Sequence, residues 1–223
     1  ALARLDEYDQ RTGVNSLPGL RAQILWALGR EEEAEASVRE AFALSPRPDR
    51  AATLLAEIFK GRVKPEEAVE ILEAAEDLGP WDSWQLGRLH LELGNLERAR
   101  ENLEVAATAP HLVAARNDLA HVMALQGEDL DRAVELARGV KSAMPDDAAV
   151  ADTLGFVYLK KGLLEPAAFE FRYAIELARV QGLQVADYHY HLGLALQGLG
   201  RSAEARVAFD EALRIEPDHE AAK

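Results

Sequence analysis

Six alanines recur along this chain at a nearly constant interval: Ala34, Ala68, Ala99, Ala133, Ala167 and Ala205, separated by 34, 31, 34, 34 and 38 residues. Other residues keep step with them. The pairs Leu86-Gly87, Leu119-Ala120, Leu154-Gly155 and Leu192-Gly193 precede the last four alanines, and Phe171 and Phe209 follow the last two. Pro46, Pro80, Pro110, Pro145 and Pro217 close every unit but the fifth. A period of this length holds two helices and their turns, too little to bury an apolar face alone. Such units are stable only when stacked on their neighbours.

The markers divide the chain into six units, 15–48, 49–79, 80–112, 113–147, 148–185 and 186–219, with 1–14 an N-terminal helix or the remnant of a preceding unit and 220–223 the start of an interrupted helix. Ala, Leu, Glu and Arg dominate and no period-2 alternation of β-branched residues competes, so the chain reads as all-α. The small residues have a steric reason. Where two helices cross closely, a side chain larger than a methyl group forces the backbones apart. Leu86, Leu119, Leu154 and Leu192 would fill the space between the helices, as would Phe171 and Phe209, and each Pro stops a second helix. Asp146 and Asp218, each following such a Pro, are placed as N-caps. The long fifth interval predicts a second helix over 164–181, one turn longer than its counterparts and ended by Gly182. The turn at Gln126-Gly127-Glu128-Asp129 holds one extra residue.

These helix-turn-helix units, with their small, large and Pro positions, resemble the tetratricopeptide repeat. The resemblance covers about nine-tenths of the chain. It is most specific in the last two units and weakest in the first two, where Arg21-Ala22 stands for the Leu-Gly pair. It implies a right-handed superhelical solenoid of antiparallel helix pairs whose first helices line a concave groove that binds a protein or peptide. In the frame of the Leu-Gly pairs, the groove row comprises Trp84 and Arg88, Asn117 and His121, Asp152 and Phe156, and Tyr190 and Leu194, with Trp81 and Asp187 one turn nearer the helix starts. The expected binding row is therefore Trp81, Trp84, Arg88, Asn117, His121, Asp152, Phe156, Asp187 and Tyr190, a continuous surface across the third to sixth units. Aromatics supply contact area at small entropic cost, and Asn and Arg satisfy an extended backbone. For Trp84 and Phe156 the alternative is burial between helices.

Composition narrows the function further. A net charge of −14, from 39 acidic against 25 basic side chains, repels phosphate backbones and argues against nucleic-acid partners. Without cysteine there are no disulfides, thiolate metal sites or Cys nucleophile, and the compartment, cytoplasmic or periplasmic, stays open. No segment has the length or apolarity of a membrane span, and the chain, which lacks an initiator Met, reads as part of a longer protein.

Catalytic motifs are missing from the sequence. His189 and His191 are two residues apart, so on a helix their rings point in opposite directions and do not share a metal. His189 is expected in place of the aromatic that first helices bury. Glu128-Asp129-Leu130-Asp131 lacks the length and glycine of a calcium loop and reads as the acidic first turn of a helix. There is no phosphate loop and no nucleophile elbow. The expectation is a non-catalytic scaffold without cofactor or metal, able to self-associate through exposed end units. The alternative is the repeat arm of a larger bacterial secretion or polysaccharide-export machine or of a glycosyltransferase.

Overall fold

The computed structural model describes residues 2–12, 21, 24–25, 28–30, 33–34, 36–37, 65–73 and 78–218. Among them every regular element is an α-helix: α1 (Leu2–Thr12), α2 (Pro65–Glu73), α3 (Pro80–Glu92), α4 (Leu96–Ala107), α5 (Val113–Gln126), α6 (Leu130–Ala143), α7 (Ala148–Lys160), α8 (Leu164–Val180), α9 (Ala186–Gly198) and α10 (Ser202–Ile215). Most of the units expected at 15–48 and 49–79, with Ala22 and Pro46, lie outside the described residues, as does the interrupted helix at 220–223 that Asp218 would cap.

The chain forms two compact units, Ala1–Arg98 and Ala99–Lys223. In the first, α2 packs on α3 around Val69, Leu72 and Leu86, with Leu78, Leu89 and Leu93 against them. In the second, helices pair in order, α5 with α6, α7 with α8 and α9 with α10. α7 also packs on α5, α6 and α9, so Val150 through Tyr158 are all buried.

The repeating small residues sit where helices meet. All six marker alanines are buried, none more than 7% exposed, as are Leu86, Leu119, Leu154 and Leu192. A methyl group added to Gly155 would lie 2.7 Å from the Phe171 ring, and one on Gly193 would strike Phe209. Each glycine thus admits the aromatic ring of its partner helix, at a distance no other residue allows.

The turns within pairs are built alike. Gly94, Gly127, Gly162 and Gly200 have φ of 74°, 73°, 78° and 73°, a left-handed conformation that costs a side chain about 1–2 kcal/mol. Each glycine N–H bonds the carbonyl three residues back, and the next N–H reaches five back, as in Leu163 N to Tyr158 O at 2.8 Å. Those bonds satisfy the last carbonyls of the first helix. The extra residue of the fourth turn is absorbed at Asp129, φ 49°, a conformation aspartate tolerates.

Two expectations are corrected, and a third shifts by one residue. The cap of α7 is Asp147, not Asp146: its Oδ1 accepts from the N–H groups of Ala149 (2.9 Å) and Val150 (3.2 Å). The turn after Pro145 is one residue longer than the sequence reading allowed. α8 is the long helix expected, ended at Gly182 with φ 73°, and differs only in that Gln181 is its C-cap and Val180 its last residue. The end of the sixth unit, expected to be exposed, is only partly so: Leu192 and Leu196 are buried, 9% and 2% exposed, while Phe209 and Leu213 are half-open.

Second helices and the turns beside them are joined by ion pairs. Arg132 meets Glu104 at 2.5 Å, Arg100 holds both Glu128 (3.1 Å) and Asp129, Lys161 holds Asp131, and Arg172 lies 3.8 Å from Glu204. Lys141 and Glu170, 3.8 Å apart, are largely covered. Burial lowers the Lys141 pKa and raises that of Glu170. Among the described residues no helix is long and apolar enough to cross a membrane.

Candidate functional site

First helices of the second unit are tied to one another by polar and aromatic side chains. From α5 the Asn117 amide donates to Thr153 Oγ1 of α7 at 3.1 Å. From α7, Asp152 Oδ1 meets His191 Nδ1 of α9 at 2.9 Å. Both bonds join residues 36 to 39 apart in sequence, one unit's length. Helical spacing explains why they share a face: Asp152 and Thr153 lie one turn before Phe156, and Asn117 lies one turn before His121.

The rings stack along the same face. His121 and Phe156 have centroids 5.0 Å apart, and Phe156 and His191 are 5.2 Å apart. His191 also contacts Phe171 at 5.4 Å, and Tyr190 packs on Phe209 at 5.9 Å. The Lys160 ammonium lies 5.2 Å from the Phe156 centroid, within cation–π range. Burial lowers the His121 pKa, and the Lys160 and His191 charges act in the same direction against Asp152. His121 is therefore neutral at pH 7.

The structure sorts the expected row. Phe156 and Asp152 are buried, 7% and 9% exposed; Asn117, His121 and Tyr190 are half-open; Asp187 is exposed. Phe156 is thus part of the packing between helices, the alternative its size suggested. His189, expected to take the place of the buried aromatic, is only half-buried, and the ring inside the aromatic row is His191. Sequence reasoning had not placed His191, Thr153 or Lys160 in the row. The Thr153 and His191 side chains follow the expected row by a single residue, the only signal that could have flagged them.

In the first unit, Trp81 and Trp84 stack edge to face at 4.8 Å, and the Arg88 guanidinium lies 5.5 Å from the Trp84 centroid. Trp81 is 39% exposed. Those three residues form an aromatic and cationic patch on α3.

One further pocket, of about 510 Å³, opens between the loop before α7 and the start of α9. Pro145, Asp147, Leu183 and Tyr188 are among its lining residues. Burial first, then the charges of Asp152, Asp147 and Asp187, push the Tyr188 pKa up to about 12, so its hydroxyl stays protonated. No group of three or more His, Cys, Asp or Glu suited to a metal occurs among the described residues.

Comparison with known proteins completes the description. Profiles of the tetratricopeptide repeat match residues 186–219 and 20–82. No curated protein is significantly similar in sequence. Among solved structures, PilW, a type IV pilus biogenesis factor, is similar with a TM-score of 0.69 and 19% identity over 94% of this chain and 98% of its own. Cut9, in the APC/C hetero-tetramer Cut9–Hcn1, is similar with a TM-score of 0.71 and 19% identity over 92% of this chain and 40% of that one. MamA from Desulfovibrio magneticus RS-1 is similar at 0.58 and 22%, over 77% and 97%. At such identities the likeness concerns the fold.

Proposed function

Because this chain belongs to the tetratricopeptide repeat family, whose members are in general protein-interaction scaffolds, we propose that it is a non-catalytic adaptor holding an extended protein segment along α5, α7 and α9. One observation carries this reading: three successive first helices are joined by Asn117–Thr153 and Asp152–His191 into a single face, with His121, Tyr190 and Leu194 left half-open on the same helices. Where apolar packing alone would close a surface, hydrogen-bonded polar groups keep their partners in place and remain able to bond a ligand backbone. A rigid row also spares the ligand the cost of ordering its receptor.

The test is site-specific photocrosslinking in the source cells. A crosslinker at His121 or Leu194 should capture a protein partner, whereas one at Phe169 or Val207, 65% and 68% exposed on second helices, should not. Capture from the second-helix positions alone would transfer the binding surface to the opposite side.

A second reading follows from PilW, which this chain matches nearly end to end. In it the chain is the repeat arm of a larger bacterial export or pilus assembly. Co-purification of assembly components with the full-length protein would favour it over a free-standing adaptor.

A further inference from the structure

We propose that Lys160, His121 and the Phe156 ring form a subsite for a carboxylate side chain of an acidic partner segment, strengthened when His121 takes up a proton. The proposal rests on the groove reading above and adds the chemistry of what the groove takes.

Several observations converge on this cluster. In a chain with 39 acidic side chains, cations of the second unit commonly bind carboxylates, as Arg100, Arg132 and Lys161 do. Lys160 pairs with none among the described residues. Its ammonium stands over Phe156 and is exposed to solvent, so the charge is available. The Phe156 ring, between His121 and His191, fixes the platform beneath it.

His121 forms no hydrogen bond among the described residues, which leaves an imidazole N–H for a ligand on a half-open side chain. The groups facing it are Asp152 and Lys160 of α7 and His191 of α9. Asp152 would repel a carboxylate were it free. It is bonded to His191 and its side chain is only 13% exposed, so its charge is engaged within the row. What a ligand meets is a lysine and a histidine over an aromatic ring, a cationic spot on an acidic protein. A second negative charge beside His121 favours its protonated form, and protonation favours the carboxylate by the same factor.

The experiment uses the full chain with an acetylated, amidated hexaglutamate peptide and its hexaglutamine counterpart, at fixed ionic strength and pH 7.5 and 5.5. Hexaglutamate should bind at least about fivefold more tightly at the lower pH, the low end of typical couplings between sites. NMR should show the His121 ring titrating at higher pH when the peptide is bound. Lys160→Gln, at an exposed position that does not endanger folding, should weaken hexaglutamate at both pH values. His121→Gln should abolish the pH-dependent gain.

Hexaglutamine binding as tightly as hexaglutamate would overturn the subsite and leave the groove standing. A pH gain that persists in His121→Gln would attribute it to the falling net charge and also overturn the proposal. So would hexaglutamate failing to bind at either pH. The groove itself is judged separately, by the crosslinking.

Discussion

Each first helix of the second unit has two sides built on different principles. Toward its own second helix, α7 presents Gly155 to the ring of Phe171, and α9 presents Gly193 to that of Phe209. Toward one another, α5, α7 and α9 present Asn117, Asp152, Thr153 and His191, joined by hydrogen bonds. On the first side shape decides everything, because a buried ring against a bare backbone leaves no room for adjustment. On the second side bonding decides, and half-open residues remain. The contrast teaches that the pair is closed by shape, while the seam between pairs keeps half-open polar and aromatic side chains, the surface on which the proposed binding relies.

The comparison can be broken most forcefully at Phe171, which is fully buried. Phe171→Ala should cost about 3–5 kcal/mol in chemical denaturation, the penalty of a large cavity. A loss under about 1 kcal/mol would mean the pair is not closed by shape. Next come the small residues: Gly193→Leu, Ala167→Leu and Ala205→Leu should each overpack a crossing and cost about 1–3 kcal/mol. Stability equal to the parent in all three would remove the steric account of the repeat.

On the bonded side the effects should be smaller. Asn117→Ala removes one hydrogen bond and should lower stability by about 0.5–1.5 kcal/mol in the same assay. A loss as large as that of Phe171→Ala would erase the distinction between the two sides. Tyr190 is a poorer choice for this purpose, since its ring packs on Phe209 and belongs to both sides.

The smallest effect concerns pH. The His121 pKa is lowered in the folded chain, chiefly by burial. As pH falls below 6.5 the unfolded chain binds a proton first, so stability declines until pH has passed through the folded value and then levels off. Urea midpoints between pH 7.5 and 5 should show a steeper decline for the parent than for His121→Gln. Equal slopes would show that the His121 ring is not shielded by its neighbours.

Much of the fold was legible because the pair interface is periodic. A small residue at a helix crossing leaves a mark at the same place in each unit, and the six alanines all proved buried. The seam was legible only in outline. Asp152 meets His191, and Asn117 meets Thr153, because successive helices are offset by about one residue when they stack. That offset is a property of three dimensions and leaves no repeated letter in the sequence. The cap at Asp147 was missed more simply: Pro145 marks the end of a helix, and the number of turn residues before the next depends on how the units dock. Burial of Asp152 could not be anticipated either, since a lone aspartate reads as solvated until its histidine is in place.

The ion pairs between second helices give the second unit the character of a bimetallic strip. Arg132–Glu104, Arg172–Glu204 and the Arg100 cluster fasten one edge with charges near solvent, whose attraction weakens as salt shortens the screening length from about 10 Å at 0.1 M toward about 3 Å at 1 M. The other edge is fastened by Asn117–Thr153 and by stacked rings, on which salt has little purchase. Raising the ionic strength therefore slackens one edge while the other holds its length. Bending toward the two edges meets unequal resistance, and the surrounding electrolyte sets the difference.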